Sequence, residues 1–344
     1  MSVRSFAICL MITLLAVLGA LMAIFGHDNN PLDQEIGRPV FTQLAANPQA
    51  VKRIELRHHK GGFSFIRDQQ SWRSEDKFGF PASARRVDGL LNDLAGLRLA
   101  EPKTRKPERY ARIGVEPIGQ AGARGGHLRL YDTNGDLIAD AIIGDRISRP
   151  TGDAKAGTFV RLTGQAQAWL ASGAITLPLT LRPWLNAAVI DMTPATVAAV
   201  DIIDLDGRRM VSRKTPMHSF TVAAGGGRET AFPAAPQVVE QLLTALQPLR
   251  FDDVRPRQAG PAFVATAGVK VRRFDGVVIE IEIADEKDIA WIRLNAVPPA
   301  GNVSAAISAE VAALNNRFKP WTYQIADWIN DRLTEPLDRL RQQP

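Results

Sequence analysis

The block Asn47-Pro48-Gln49-Ala50-Val51-Lys52-Arg53-Ile54-Glu55-Leu56 returns, altered but recognisable, as Thr193-Pro194-Ala195-Thr196-Val197-Ala198-Ala199-Val200-Asp201-Ile202. The same 146-residue offset (47 to 193) carries Lys60-Gly61 onto Asp206-Gly207 and Arg67 onto Arg213. In each place an alternating apolar run, a glycine turn and a second run predict a β-hairpin, because successive side chains on a strand face opposite ways. Self-similarity at such a spacing means that one arrangement of elements is built twice.

Further blocks follow in the same order. Phe80-Pro81 matches Phe232-Pro233 at an offset of 152 (80 to 232). Val87, Leu90, Leu91, Leu94 and Leu97 then match Val239, Leu242, Leu243, Leu246 and Leu249. Their i, i+3, i+4, i+7, i+10 spacing puts them on one helical stripe that must be buried against a sheet. Later Phe159-Val160-Arg161-Leu162 matches Trp291-Ile292-Arg293-Leu294, and Trp169-Leu170 is paired with Trp328-Ile329. Each half is therefore expected to run hairpin, further strand near Trp72 or Phe220, helix, antiparallel strands and a short final helix. That is α+β architecture.

The first repeat is placed at 47–186 and the second at 187–344, with 183–193 as the connector. The strands His127-Leu128-Arg129-Leu130-Tyr131 and 137–143 flank Thr133-Asn134-Gly135, and Asn-Gly is a strong hairpin signal. In the second half 269–274 turns at Asp275-Gly276 into 277–283. An insertion in the second repeat, near 297–319, is expected to carry a helix over 303–314.

Residues 6–26, FAICLMITLLAVLGALMAIFG, hold no charge. As a helix they span about 32 Å, enough for a hydrocarbon core of about 30 Å. Arg4 precedes the run, so the positive-inside bias keeps residues 1–5 cytoplasmic and exports the remainder, to the periplasm in a Gram-negative cell. A cleaved signal would have a shorter apolar region and a small-x-small site, where this run ends Ile24-Phe25-Gly26. Cys9 is the single cysteine and lies inside the run, so disulfide frameworks and Cys-based zinc clusters are excluded. Residues 27–46 form a spacer with a short helix around 41–45. Apolar residues at 45% and charged residues at 23% exclude a mostly disordered chain and a multi-span transporter.

The Val-x-x-Ile-x-Leu strand at 51–56, the Trp72 strand and the Phe-Pro before the Val87 helix open a recognisable series. Tyr110-Ala111-Arg112-Ile113-Gly114-Val115-Glu116-Pro117, an Ile-Gly-Asp turn at 143–145 and the strand 159–162 continue it. In this order they resemble domain-of-unknown-function family 4340, well over about 47–190 and more loosely in the second copy. Ile113 and Arg112 depart from the family's Tyr-Gly-Leu spacing. The resemblance implies an auxiliary subunit of a gliding-motility-type ABC transporter, anchored in the inner membrane with extracytoplasmic α+β domains. It implies no catalysis, and it has no catalytic residues to carry over.

Candidate chemistry is sparse. His58 and His59 are adjacent on an expected strand, so they point to opposite faces and cannot chelate together. His127 and His218 fall in different halves with no carboxylate at ligand spacing. Asp132-Thr133-Asn134-Gly135-Asp136 resembles a calcium loop, but Leu137 and Ile143 stand where Gly and a bidentate Glu are needed. The glycine-rich stretches 119–126 and 225–227 lack the strand-to-helix context of a phosphate loop. Ser74-Glu75-Asp76-Lys77 fits Ser-x-x-Lys without its companion motifs. No catalytic, cofactor-binding or metal residues are assigned.

Net charge is +6, and 101–112 has five basic residues against two acidic. An exported location removes nucleic acid as a partner and leaves anionic envelope components, with a solvated connector as the simpler reading. Trp321, Ile325, Trp328, Ile329 and Leu333 fall on one helical stripe that closes its own domain. The expected function is a membrane-anchored periplasmic accessory or scaffold protein, partnered with the inner membrane and transport subunits. The alternatives are a periplasmic enzyme acting on envelope carbohydrate or peptide, and a binding module for anionic envelope components.

Overall fold

The computed structural model describes residue 11 and residues 13–18, 31–147, 156–205, 207–225 and 231–341. It is α+β, with mostly antiparallel sheets and a few helices. Two compact units emerge: Met1–Gln70 with Ala84–Leu179, and Ser71–Ser83 with Thr180–Pro344. The expected span 6–26 lies largely outside the described residues. Among the described residues no helix is long and apolar enough to cross a membrane.

In the first unit helix α1 (Thr42–Ala46) carries Leu44, which is fully buried. The second half of the expected spacer is thus part of the folded body. Gly37 and Val40 donate to the carbonyls of Leu99 and Leu97, which tie this segment down. The chain continues through β1 (Arg53–His58), β2 (Gly61–Asp68), β3 (Ser71–Ser74), β4 (Phe80–Pro81), α2 (Ala84–Gly96), β5 (Arg98–Pro102), β6 (Gly126–Tyr131), β7 (Leu137–Ile147), β8 (Gly157–Leu162) and β9 (Ala168–Ser172). Helix α2 stops at Gly96, and Val87, Leu90, Leu91 and Leu94 are its buried face.

The second unit contains β10 (Ala188–Ile190), β11 (Val197–Asp204), β12 (Gly207–Ser212), β13 (Thr221–Ala224), β14 (Phe232–Pro233), α3 (Pro236–Ala245), β15 (Leu249–Arg250), β16 (Asp253–Pro256), β17 (Ala267–Arg273), β18 (Val278–Asp285) and β19 (Ala290–Val297). After these come α4 (Ala305–Phe318), β20 (Trp321–Gln324), α5 (Asp327–Leu333) and α6 (Leu337–Leu340). Pro236 opens α3, where its missing N–H costs nothing. The Ser304 hydroxyl caps α4 by accepting from the Ile307 N–H.

The order β2-β1-β6-β7-β8-β9-β5 of the first unit is repeated as β12-β11-β17-β18-β19-β20-β16 in the second. The register repeats too. Ile54 pairs with Phe65 and Leu130, and Val200 pairs with Val211 and Val271. Ile142 faces Arg161, and Glu282 faces Arg293. One sheet face of the second unit packs Val200, Val271, Ile281 and Leu294 against Leu242 and Leu246 of the α3 region.

Several expectations need correction. Trp321 lies on β20 rather than on a helix, so the proposed stripe is split, and Trp328 is 56% exposed. The partner of Trp169 is not Trp328: Trp169 faces Val160 on β8, and Tyr323 faces Ile292 on β19. Among the described residues of the first repeat, 47–186, only a 3-10 turn, Arg182–Trp184, follows β9. The Ile-Gly-Asp segment is not a turn; it lies inside β7 where the register shifts between Ile143 and Arg146. The expected connector 183–193 contributes β10, which pairs with β15, and it buries Leu185, Val189, Ile190 and Met192.

Candidate functional site

The two segments that carry the family resemblance in the first unit meet. Tyr110 closes a 3-10 turn, Pro107–Arg112, and its hydroxyl donates to the Ala166 carbonyl at 2.6 Å. The Asp145 N–H donates to the Ile113 carbonyl at 3.0 Å. A Cβ on Gly144 would stand 2.3 Å from that Ile113 oxygen, so only glycine admits the approach. Glu116, 3% exposed, accepts from the Arg124 N–H, while Arg124 pairs with Asp145 at 2.6 Å. Asp145, first by hydrogen bond and then by charge, raises the Arg124 pKa above its ordinary value. These contacts bind loop to strand.

On the outer face of the first sheet, His127 Nε2 lies 2.6 Å from Asp140 Oδ1, and the Thr163 hydroxyl donates to the same oxygen at 2.5 Å. The sequence reading missed this carboxylate because the two residues are diagonal neighbours across the β6–β7 hairpin. A nucleophile relay needs the hydroxyl on one ring nitrogen and the carboxylate on the other. Here Thr163 and Asp140 both sit at Nε2, with Thr163 3.4 Å away, so the ring cannot pass a proton between them. The equivalent place in the second unit holds another satisfied carboxylate. Glu280 accepts from Lys270 at 2.9 Å and from Asn295 at 3.1 Å. These two hydrogen bonds, Lys270 first, hold the Glu280 pKa below its ordinary value.

Beside that network the second unit has a cleft of about 550 Å³ over β17, β18 and β19. Arg257, Lys270, Arg293 and Lys319 supply its cations, and Glu280 and Glu282 its carboxylates. Arg293 is held in place: Nε donates to Thr322 Oγ1 at 3.1 Å, and one terminal nitrogen donates to the Arg257 carbonyl at 2.7 Å. Its guanidinium carbon lies 4.1 Å from the Phe263 ring centre. Burial, then the neighbouring Arg257 charge, pull the Arg293 pKa down.

The other sequence candidates are placed as follows. His58 ends β1 and is buried, whereas His59 opens the turn. They therefore do not face opposite ways; their rings meet edge-on with centres 6.1 Å apart. Burial, first, and the adjacent His59 and Lys60 lower the His58 pKa. His218 bonds to the Thr215 hydroxyl. Asp132 Oδ1 accepts from the Asn134 and Asp136 N–H groups in the β6–β7 turn, with Gly135 at φ +86°. Ser74 is fully buried, and Lys77 pairs instead with Asp253 at 2.6 Å. Residues 119–125 form turns leading into β6; the second glycine run lies outside the described residues after Gly225. Lys103 pairs with Glu101, and Arg105, Lys106, Arg109 and Arg112 are solvated. Among the described residues no group of three or more His, Cys, Asp or Glu side chains could hold a metal ion.

This is an α+β protein whose strand order and register occur twice and whose Asp140 and Glu280 carboxylates are held by their neighbours. The profile of a domain of unknown function (DUF4340) matches residues 72–270, and the chain belongs to that family. No curated protein matches it.

Proposed function

We propose that this chain is a membrane-tethered, extracytoplasmic accessory or scaffold subunit of an ABC-type envelope transport system, and that it performs no catalysis. The observation that supports the tether is a helical stretch whose apolar side chains are largely exposed among the described residues. Met11, Leu14, Leu15, Val17 and Leu18 are 48–65% exposed. Apolar surface gains roughly 25 cal/mol per Å² on leaving water, and a bilayer supplies that environment. The family resemblance supplies the expected transport partner. The scaffold role accords with polar networks such as Asp140–His127–Thr163, whose groups are spent on one another.

The experiment is membrane fractionation followed by crosslinking and mass spectrometry on intact membranes. Retention in the alkali-washed membrane pellet and crosslinks to a permease or ATPase subunit are expected. Release into the soluble fraction sinks the tether, and a partner set without transport components sinks the accessory role.

A further inference from the structure

The two units differ on the face that carries the cleft over β17, β18 and β19: in the first, Tyr110 and Val115 cover Ile142 and Arg161, and in the second the matching Glu282 and Arg293 line open space. In the first unit the register places His127 opposite Ile142, and its ring reaches Asp140. In the second unit Gly268 stands at that position, opposite Glu282. A Cβ there would meet nothing within 4 Å, so the space beside Gly268 is open and its backbone would accept a side chain. Strand packing therefore does not demand this glycine.

The charges around the space are unequally spent. Lys270 is committed to Glu280, which also accepts from Asn295. Among the described residues Arg257 and Lys319 make no ion pair. Arg293 is fixed by Thr322, by the Arg257 carbonyl and by the Phe263 ring, with its second terminal nitrogen uncommitted. A guanidinium held this way has already lost its rotamer freedom and presents donors in a plane that matches an oxyanion. The cleft volume falls in the roughly 300–1,000 Å³ range of small-molecule sites.

We propose that this cleft binds a small organic anion carrying a carboxylate or phosphate group, gripped by Arg293 with Arg257 and Lys319 at the rim. Asn295, Glu280 and Glu282 line the remainder and suit a ligand body rich in hydroxyl donors. Burial first, and then the Arg257 charge, lower the Arg293 pKa, and a bound anion would offset both. The inference concerns the second unit alone and stands whether or not the chain is membrane-anchored.

Isothermal titration calorimetry on the full chain in detergent tests it, with glucose 6-phosphate and glucuronate as probes and glucose as the neutral control. Saturable binding of at least one acidic sugar, absent for glucose and weakened by salt, is expected. Gly268→His, which copies the first unit, and the Arg257→Ala/Lys319→Ala pair should each weaken it about tenfold or more. Neutralising Lys103, Arg105 and Lys106 should leave it unchanged. If Gly268→His fails to fold by circular dichroism, the Arg257/Lys319 variant decides alone. Binding of neither acid, equal binding of glucose, or indifference to the cleft variants overturns the proposal.

Discussion

Arg161 and Arg293 hold the same register position in their two sheets, one opposite Ile142 and the other opposite Glu282. Each guanidinium lies over an aromatic ring: Arg161 over Tyr110 at 4.6 Å, Arg293 over Phe263 at 4.1 Å. Their duties diverge from there. Arg161 is buried and donates to the Val115 and Gln165 carbonyls, while Arg293 lines a cleft.

This divergence predicts unequal costs of truncation. Arg161→Ala strands two carbonyls and uncovers Tyr110, and should cost about 2–3 kcal/mol. Arg293→Ala also removes donors from the Thr322 hydroxyl and the Arg257 carbonyl, but beside a cleft that water can enter, and should cost about 1–2 kcal/mol. Urea unfolding of both variants checks the ranking, and an equal loss would refute it.

Arg209 predicts a larger effect. It is 2% exposed, pairs with both Asp204 oxygens, and donates to the Glu335 and Thr334 carbonyls. Asp204→Ala leaves that buried cation without its counter-ion, at about 3–5 kcal/mol. A thermal midpoint within a degree of the parent would contradict this role.

Acid should destabilise the protein through His58. Its folded pKa lies below the unfolded value of about 6.5, so the unfolded chain binds more protons between the two. Stability is therefore complete above about pH 6.5 and falls as the pH drops toward the folded pKa. His58→Leu should flatten the pH dependence of urea midpoints between pH 7.5 and 5. An unchanged slope would assign it to other groups.

Phe80 reports on the membership of residues 71–83. Its ring packs edge-on against Phe251 at 5.2 Å and Trp321 at 5.0 Å. Phe80→Ala should cost about 3–5 kcal/mol and loosen the second unit, seen as faster amide exchange in β16 and β20. Exchange that quickens only in β1 and β2 would count against this.

The parts legible in the sequence are those set by local periodicity. The stripes led by Val87 and Val239 are buried, and Asn134-Gly135 turns β6 into β7. Arg67 and Arg213, matched by the repeat, both hold the turn before their hairpin, through the Gln49 and Pro194 carbonyls. What escaped the reading depends on distant pairing. His127 meets Asp140 only once a hairpin register is fixed, and Gly144 meets the Ile113 carbonyl only once the loop is laid on β7. Trp328 mimicked a repeat because a Trp-apolar pair is short enough to recur by chance, whereas the true counterpart of Trp169 is a tyrosine. The cleft was invisible because its lining residues, from Arg257 to Lys319, come together only when β17, β18 and β19 pair.

The residues from Ser71 to Ser83 belong to the second unit although they are translated before most of the first. A growing chain that has produced only the first repeat still lacks the body into which this stretch must settle. Severing the protein between its repeats would orphan Phe80 rather than release two self-sufficient halves. The order in which residues leave the ribosome is therefore not the order in which the second unit can be completed.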